Sequence, residues 1–244
     1  ITTVNYNRDV EIFPVLNTIF EKIYGSSPYK SPTDMGVNMA GNCICDDEAC
    51  REASKQEIIR RYFDALNALA KGSTSEKEAQ KIELLMNMAG ITVTDRKVVI
   101  KALERAKETD GPAAALELRD GRIITGKTTN LLGASAALLL NVLKVLAGID
   151  HETHIISPES IEPIQKLKVD YLKSKNPRLH TDEVLIALSA SAATNPQARL
   201  ALSQLPELAG CQAHTSVMLS DVDIKIFKKL EVQLTSEAVY EHAL

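Results

Sequence analysis

The stretch Gly121-Arg-Ile-Ile-Thr-Gly126-Lys127-Thr128 matches the phosphate-binding pattern G-x-x-x-x-G-K-[ST], and a helical stretch follows it. That chemistry needs a strand, then a flexible loop whose backbone N–H groups wrap a phosphate at a helix N-terminus. The intervening residues argue for another structure. Ile123, Ile124 and Thr125 are β-branched and favour extended backbone, and Asp120-Gly121 is a hairpin turn signal. The hairpin is therefore the favoured reading. Lys127, Thr128 and Thr129 still stand between a strand and a helix, where they can bind an anion without a wrapping loop; a plain helix cap is the alternative use of the threonines.

The densest polar cluster is Asn176-Pro-Arg178-Leu-His180-Thr-Asp182. Thr181 or Asp182 can cap the following helix, which leaves an Arg and a His that capping does not require. Arg178 can clamp a carboxylate or phosphate with two parallel hydrogen bonds. His180 titrates near neutral pH and can transfer a proton, with Asp182 as its orienting carboxylate. His214 opens an apolar strand, where a hydrogen-bonded structural role competes with ligand binding. His151 and His154 are read as structural or exposed, and His242 as part of a frayed tail.

A third candidate is the loop Pro28 to Asn42, rich in Gly, Pro, Ser and Asn and long for an idle connection. Lys30, Asp34 and Asn38 would face a ligand there. A loop satisfied by its own Asn and Asp side chains is the competing structure. Cys43, Cys45 and Cys50 invite a zinc reading, but the first gap is one residue, Cys211 is distant and no nearby His completes a set. No metal site is expected.

The elements that must hold these residues follow from hydrophobic spacing. Helices are expected at Val10–Tyr24 (with Pro14 in its first turn), 47–71, Ser75–Ala89 and Thr94–Thr109. Then the pattern changes: a hairpin of Ala114–Leu118 and Ile123–Thr125 and an apolar helix over Asn130–Ala147. A strand at Thr153–Ile156 follows, with helices at Pro158–Tyr171, Thr181–Ala193, from Asn195-Pro196, and Asp221–Leu230. Strands are expected at His214–Leu219 and Val232–Thr235. Alternating strands and helices imply a mixed α/β fold: a loop-rich, mostly helical region over 1–110, then an α/β layered domain with a β-hairpin and a small sheet over 111–244.

Composition narrows the function. The 244 residues are 45% hydrophobic and 25% charged, with a net charge of −4, so a cationic nucleic-acid surface is not expected. Trp is absent and aromatics are 4%, too few for base-stacking platforms. No apolar run approaches the roughly 20 residues of a membrane span. Four unevenly placed cysteines fit a reducing cytoplasm.

Six segments together carry a resemblance: VNYNRDVEIFPVLNTIFEKIYG, SPYKSPTDMGVNMAGN, TGKTTNLLGASAALLLN, ISPESIEPIQKLKVDYL, NPRLHTDEVLIALSASAATNP and GCQAHTSVMLSDVD. Through essentially its whole length the chain resembles the UPF0371, or DUF1846, family of bacterial proteins. The resemblance implies cytoplasmic proteins of about twice this length, of which this chain resembles only the C-terminal half. It also implies that the other half carries a Gly-rich, phosphate-loop-like segment on a nucleotide-binding α/β domain. ATP and Mg²⁺ would then bind mainly in that N-terminal half, which becomes a partner of this one. The second and third cysteines lie outside the family pattern, which weakens the zinc reading further.

Two functions follow as expectations. The first is the C-terminal part of a nucleotide- or phosphate-dependent enzyme acting on a small anionic metabolite. His180 and Asp182 would be catalytic, and Lys30, Asp34, Asn38, Lys127, Thr128, Thr129, Asn176, Arg178 and His214 would bind substrate or phosphate. The alternative is a non-catalytic oligomerisation or scaffold domain, using the apolar Leu131–Leu146 helix. A homo-oligomer is expected in either case, with neither nucleic acid nor membrane as partner.

Overall fold

A computed structural model describes residues 6–29 and 47–241. Among these residues the chain has nine α-helices and a four-stranded mixed sheet, the mixed α/β architecture expected. It divides into two compact units, 1–96 and 97–244.

The first unit is helical. Helix α1 (Tyr6–Tyr24), α2 (Asp47–Ala70) and α3 (Glu76–Ala89) are followed by a 3-10 turn, Val93–Asp95. Pro14 lies inside α1 rather than in its first turn, because the helix begins at Tyr6. Ile58, Ile59 and Phe63 of α2 are buried, as are Leu85 and Met86 of the α3 that packs on it. Gly90 ends α3 in the left-handed region, at φ 64°. The helix expected from Thr94 starts at Lys97. Asp95 instead turns back to accept from the Thr92 backbone N–H at 2.7 Å, closing the 3-10 turn.

The second unit holds the sheet, in the order β2-β1-β3-β4. Helix α4 (Lys97–Thr109) leads into β1 (Ala113–Glu117) and β2 (Ile123–Lys127), an antiparallel hairpin. At its turn Gly121 has φ 83°, and Leu118 bonds across to both Gly121 N and Arg122 O. That is the three-residue loop ending in a left-handed glycine that Asp-Gly favours. Period two then sorts β1 between two helices. Ala114 and Leu116 join the main core with α5 (Ala134–Leu146), while Ala115 packs with Val98 and Ala102 of α4.

Helix α5 is apolar nearly all round because it is central to this core; Leu138, Leu139, Val142 and Leu143 are fully buried. Its apolar faces are therefore used inside its own unit. Helix α5 lies so close to β2 that a Cβ on Gly126 would stand 2.2 Å from Leu138 N. Gly126 is thus a packing glycine within a strand, and the Gly121–Thr128 stretch is turn and strand rather than a phosphate-wrapping loop.

Helix α6 (Pro158–Lys166) continues into a π-helical turn, Leu167–Tyr171. Then come α7 (Thr181–Ser191), α8 (Pro196–Leu202), β3 (Gln212–Thr215), α9 (Asp221–Lys229) and β4 (Gln233–Ser236), with β3 antiparallel to β1 and parallel to β4. The expected strand at Thr153–Ile156 does not form. Ile155 and Ile156 are buried in the core, but the buried Lys144 ammonium takes the carbonyls of His151 and Thr153, so a side chain replaces a ladder there. The strand expected over His214–Leu219 is shorter, because the Thr215 hydroxyl donates to the Val217 carbonyl and turns the chain.

Candidate functional site

The site is built where the loop 174–180 enters α7. Backbone position is fixed first. The Arg178 N–H donates to Asn176 Oδ1 at 3.1 Å, and the Ser174 hydroxyl to the Asn176 carbonyl at 3.1 Å. The π-helical turn sends the side chain of Lys168 inward. Its ammonium donates to the Arg178 carbonyl at 2.6 Å and to Glu183 Oε2 at 2.7 Å. The same Glu183 oxygen accepts the His180 N–H at 2.8 Å, so one ion pair holds both sides of the residue that precedes the helix.

With its backbone held, His180 meets Asp223 of α9. Imidazole Nδ1 is 3.0 Å from Asp223 Oδ2. The carboxylate is buried, 3% exposed, and it receives three further bonds. The Thr181 N–H and hydroxyl donate to Oδ1 at 2.9 and 2.8 Å, and the Ser220 hydroxyl donates to Oδ2 at 2.8 Å. Burial alone would raise the Asp223 pKa. Hydrogen bonds from His180, Thr181 and Ser220 outweigh it and hold the carboxyl at about 2. The hydrogen bond to Asp223 in turn raises His180 above its ordinary value, against burial and the nearby Lys168.

An ionised Asp223 only accepts, so His180 Nδ1 carries a proton and Nε2 is left for other chemistry. Nε2 makes no hydrogen bond among the described residues, and the side chain is 32% exposed. A buried carboxylate behind an accessible imidazole is the arrangement that stabilises imidazolium during proton transfer.

The carboxylate that His180 meets is thus Asp223, not Asp182. Asp182 Oδ1 accepts the N–H of its neighbour Glu183 at 2.8 Å. Arg178 is paired with Glu241, at 2.5 Å, and Asn176 shapes its own turn. His214 is fully buried on the sheet, with Nδ1 2.8 Å from Thr235 Oγ1 and Nε2 3.3 Å from Glu237 Oε1; it ties β3 to β4. Lys30, Asp34 and Asn38 lie outside the described residues, as do Cys43 and Cys45 and the side chain of Cys50. Cys211 is a buried thiol whose pKa burial pushes up.

Lys127, Thr128 and Thr129 stand apart from this cluster. Helix α5 starts only at Ala134, and the Gly133 N–H before it already donates to the Leu179 carbonyl. Thr128 N donates to the Pro112 carbonyl, and Thr129 Oγ1 accepts from the N–H groups of Leu131 and Leu132. Lys127 and Thr129 line a groove of about 790 Å³ along β2 and α5, which His180 and Asp223 do not line.

Sequence reasoning did not single out Asp223, Ser220, Lys168 or Glu183. A local signal existed for one pair: Ser220-x-x-Asp223 is a capping spacing, and Ser220 does cap α9 by accepting from Asp223 N at 3.2 Å. That the Asp side chain then reaches His180, 43 residues away, had no local signature.

Among the described residues no helix is long and apolar enough to cross a membrane. The model for the N-terminal domain of unknown function DUF1846 matches residues 1–90, and that for the C-terminal domain matches 94–244. This corrects the expectation of a C-terminal half alone: the matches take in both domain models. A UPF0371 protein of Corynebacterium aurimucosum is 59% identical over 239 residues, covering 98% of this chain and 48% of that protein. One from Corynebacterium urealyticum is 58% identical over 236 residues, covering 97% and 48%. One from Streptococcus thermophilus is 52% identical over 241 residues, covering 99% and 49%. The chain spans about half the length of the curated relatives it matches.

Proposed function

The chain belongs to the DUF1846, or UPF0371, family, and from that premise we propose that its second unit contributes the proton-transfer group of an enzyme acting on a small anionic metabolite. His180 is the acid–base residue and Asp223 its positioning residue. The substrate proton passes to Nε2, the imidazolium is stabilised through Nδ1 by the buried carboxylate, and the proton returns from Nε2 to product. An imidazolium favoured by Asp223 also attracts negative charge, which supports an anionic substrate.

One observation carries this reading. A histidine that merely precedes a helix has no need of a remote buried carboxylate, yet Asp223 is held by three other donors while Oδ2 faces His180. The test is a screen of phosphorylated metabolites and small carboxylates, read on the His180 imidazole resonances by NMR. The expected result is a ligand that shifts the Nε2 signal and binds more weakly to His180→Gln. Anions that bind without perturbing His180, or no anion bound by the folded chain, would contradict it.

A further inference from the structure

We propose that the groove along β2 is a separate binding site for an amphipathic anion, an aliphatic chain ending in a phosphate or carboxylate, with the charged head at Lys127. His180 and Asp223 do not line this groove, so the inference goes beyond the proton-transfer reading and does not depend on it.

The body of the ligand follows from the walls. Strand β2, the following loop, α5 and the segment 149–161 supply Ile124, Leu131, Leu140, Val145, Ile149 and Ile156, all aliphatic. No Phe, Tyr or Trp lines the groove, so an aliphatic chain matches it better than a base seeking a stacking partner. A volume of about 790 Å³ lies within the range of small-molecule sites.

The head group follows from the charges. Arg105, Lys127, Lys144, His151 and His154 line the groove, and among the described residues no Asp or Glu does. Three of these five have partners of their own: Arg105 Nη1 donates to Glu108 at 3.1 Å, Lys144 donates to the carbonyls of His151 and Thr153, and His151 lies 3.3 Å from Glu152. The Lys127 ammonium meets no carboxylate among the described residues, and Thr129 and Asn130 line the groove beside it. An apolar trough whose Lys127 ammonium has no ion-pair partner among the described residues is complementary to an amphipathic anion.

The edge strand raises a second occupant, an extended peptide pairing with β2. The bonds Leu118 N to Arg122 O and Thr128 N to Pro112 O direct even-numbered residues toward β1, which turns Ile123, Thr125 and Lys127 outward. But the middle outward carbonyl, that of Thr125, already accepts from Asn141 Nδ2 at 2.9 Å. An added strand would lose that bond, whereas a small ligand need not compete for it.

The test is calorimetric titration of the chain with octyl phosphate below its micelle concentration. Inorganic phosphate, octyltrimethylammonium and an alternating Val/Glu peptide are run beside it. The account predicts that octyl phosphate binds at least about tenfold more tightly than inorganic phosphate, and that Lys127→Ala weakens it about tenfold while Lys127→Arg keeps most of it. Ile149→Asn weakens octyl phosphate but leaves the far-ultraviolet circular dichroism unchanged. Binding to phosphatidylglycerol vesicles that also needs Lys127 identifies a lipid head group as the source; binding to the monomer alone identifies a soluble metabolite. Equal binding of octyltrimethylammonium, octyl phosphate no tighter than inorganic phosphate, or a peptide that binds where octyl phosphate cannot displace it would each overturn the inference.

Discussion

Two loops lead into helices side by side in the second unit. Residues 128–133 precede α5 and 174–180 precede α7, and the two are joined by a parallel bridge between Leu132 and Leu179. Both have the polar composition of an anion site. In the first, the loop is tied to neighbouring backbone: the Thr128 N–H donates to the Pro112 carbonyl, and the Thr129 hydroxyl accepts from the N–H groups of Leu131 and Leu132. In the second, local groups hold the backbone and free the His180 side chain to meet a carboxylate from α9. A polar loop before a helix therefore becomes a candidate proton-transfer site only when a group from elsewhere in the chain reaches it.

The comparison can be broken at four places. Gly126→Ala should have the largest effect, because the new Cβ meets the backbone of Leu138 and Ala134 and must push α5 off the strand. The expected loss is about 3 kcal/mol, read as a lowered urea midpoint. Asp223→Ala comes next, at about 2 to 3 kcal/mol near neutral pH, because it strands the donors of His180, Thr181 and Ser220. Thr129→Val should cost about 1 kcal/mol, since it removes the acceptor for two backbone N–H groups in the first loop. Arg178→Ala should cost less than about 0.5 kcal/mol and lose even that in high salt, since its partner Glu241 is an exposed carboxylate.

The pH dependence sharpens the same contrast. Asp223 is lowered from 3.8 to about 2, so its contribution is present above pH 3.8 and disappears as pH falls toward 2. The full amount is about 2 kcal/mol. His180 is raised, so its contribution is present below pH 6.5 and is lost as pH rises through its folded value. Unfolding midpoints measured from pH 2 to 9 should show both limbs in the native chain. Asp223→Ala should flatten both, while Thr129→Val should lower the curve without changing its shape.

Local signals in the sequence were strong where the structure is local. Asp120-Gly121 placed the hairpin, Gly90 placed the end of α3, and Asn195-Pro196 placed α8, whose first turn Asn195 caps. The run Thr153–Ile156 has strand composition but pairs with no strand among the described residues, and the Thr153 carbonyl is taken by the Lys144 ammonium from another element. The same limit explains the site. His180 was legible by type and by its position before a helix, and the nearest carboxylate in sequence was Asp182. Residues two apart on a helix point about 200° from one another, whereas Asp223 arrives from α9 by tertiary packing that no spacing rule records.

The most direct measurement is the titration of the His180 imidazole by NMR in the native chain and in Asp223→Asn. The account predicts a pKa above 6.5 with a protonated Nδ1 in the native chain, and a fall to 6.5 or below when the carboxylate becomes a neutral amide. A His180 pKa that is not raised, or one that Asp223→Asn leaves unchanged, would contradict the pairing on which the proposed chemistry rests.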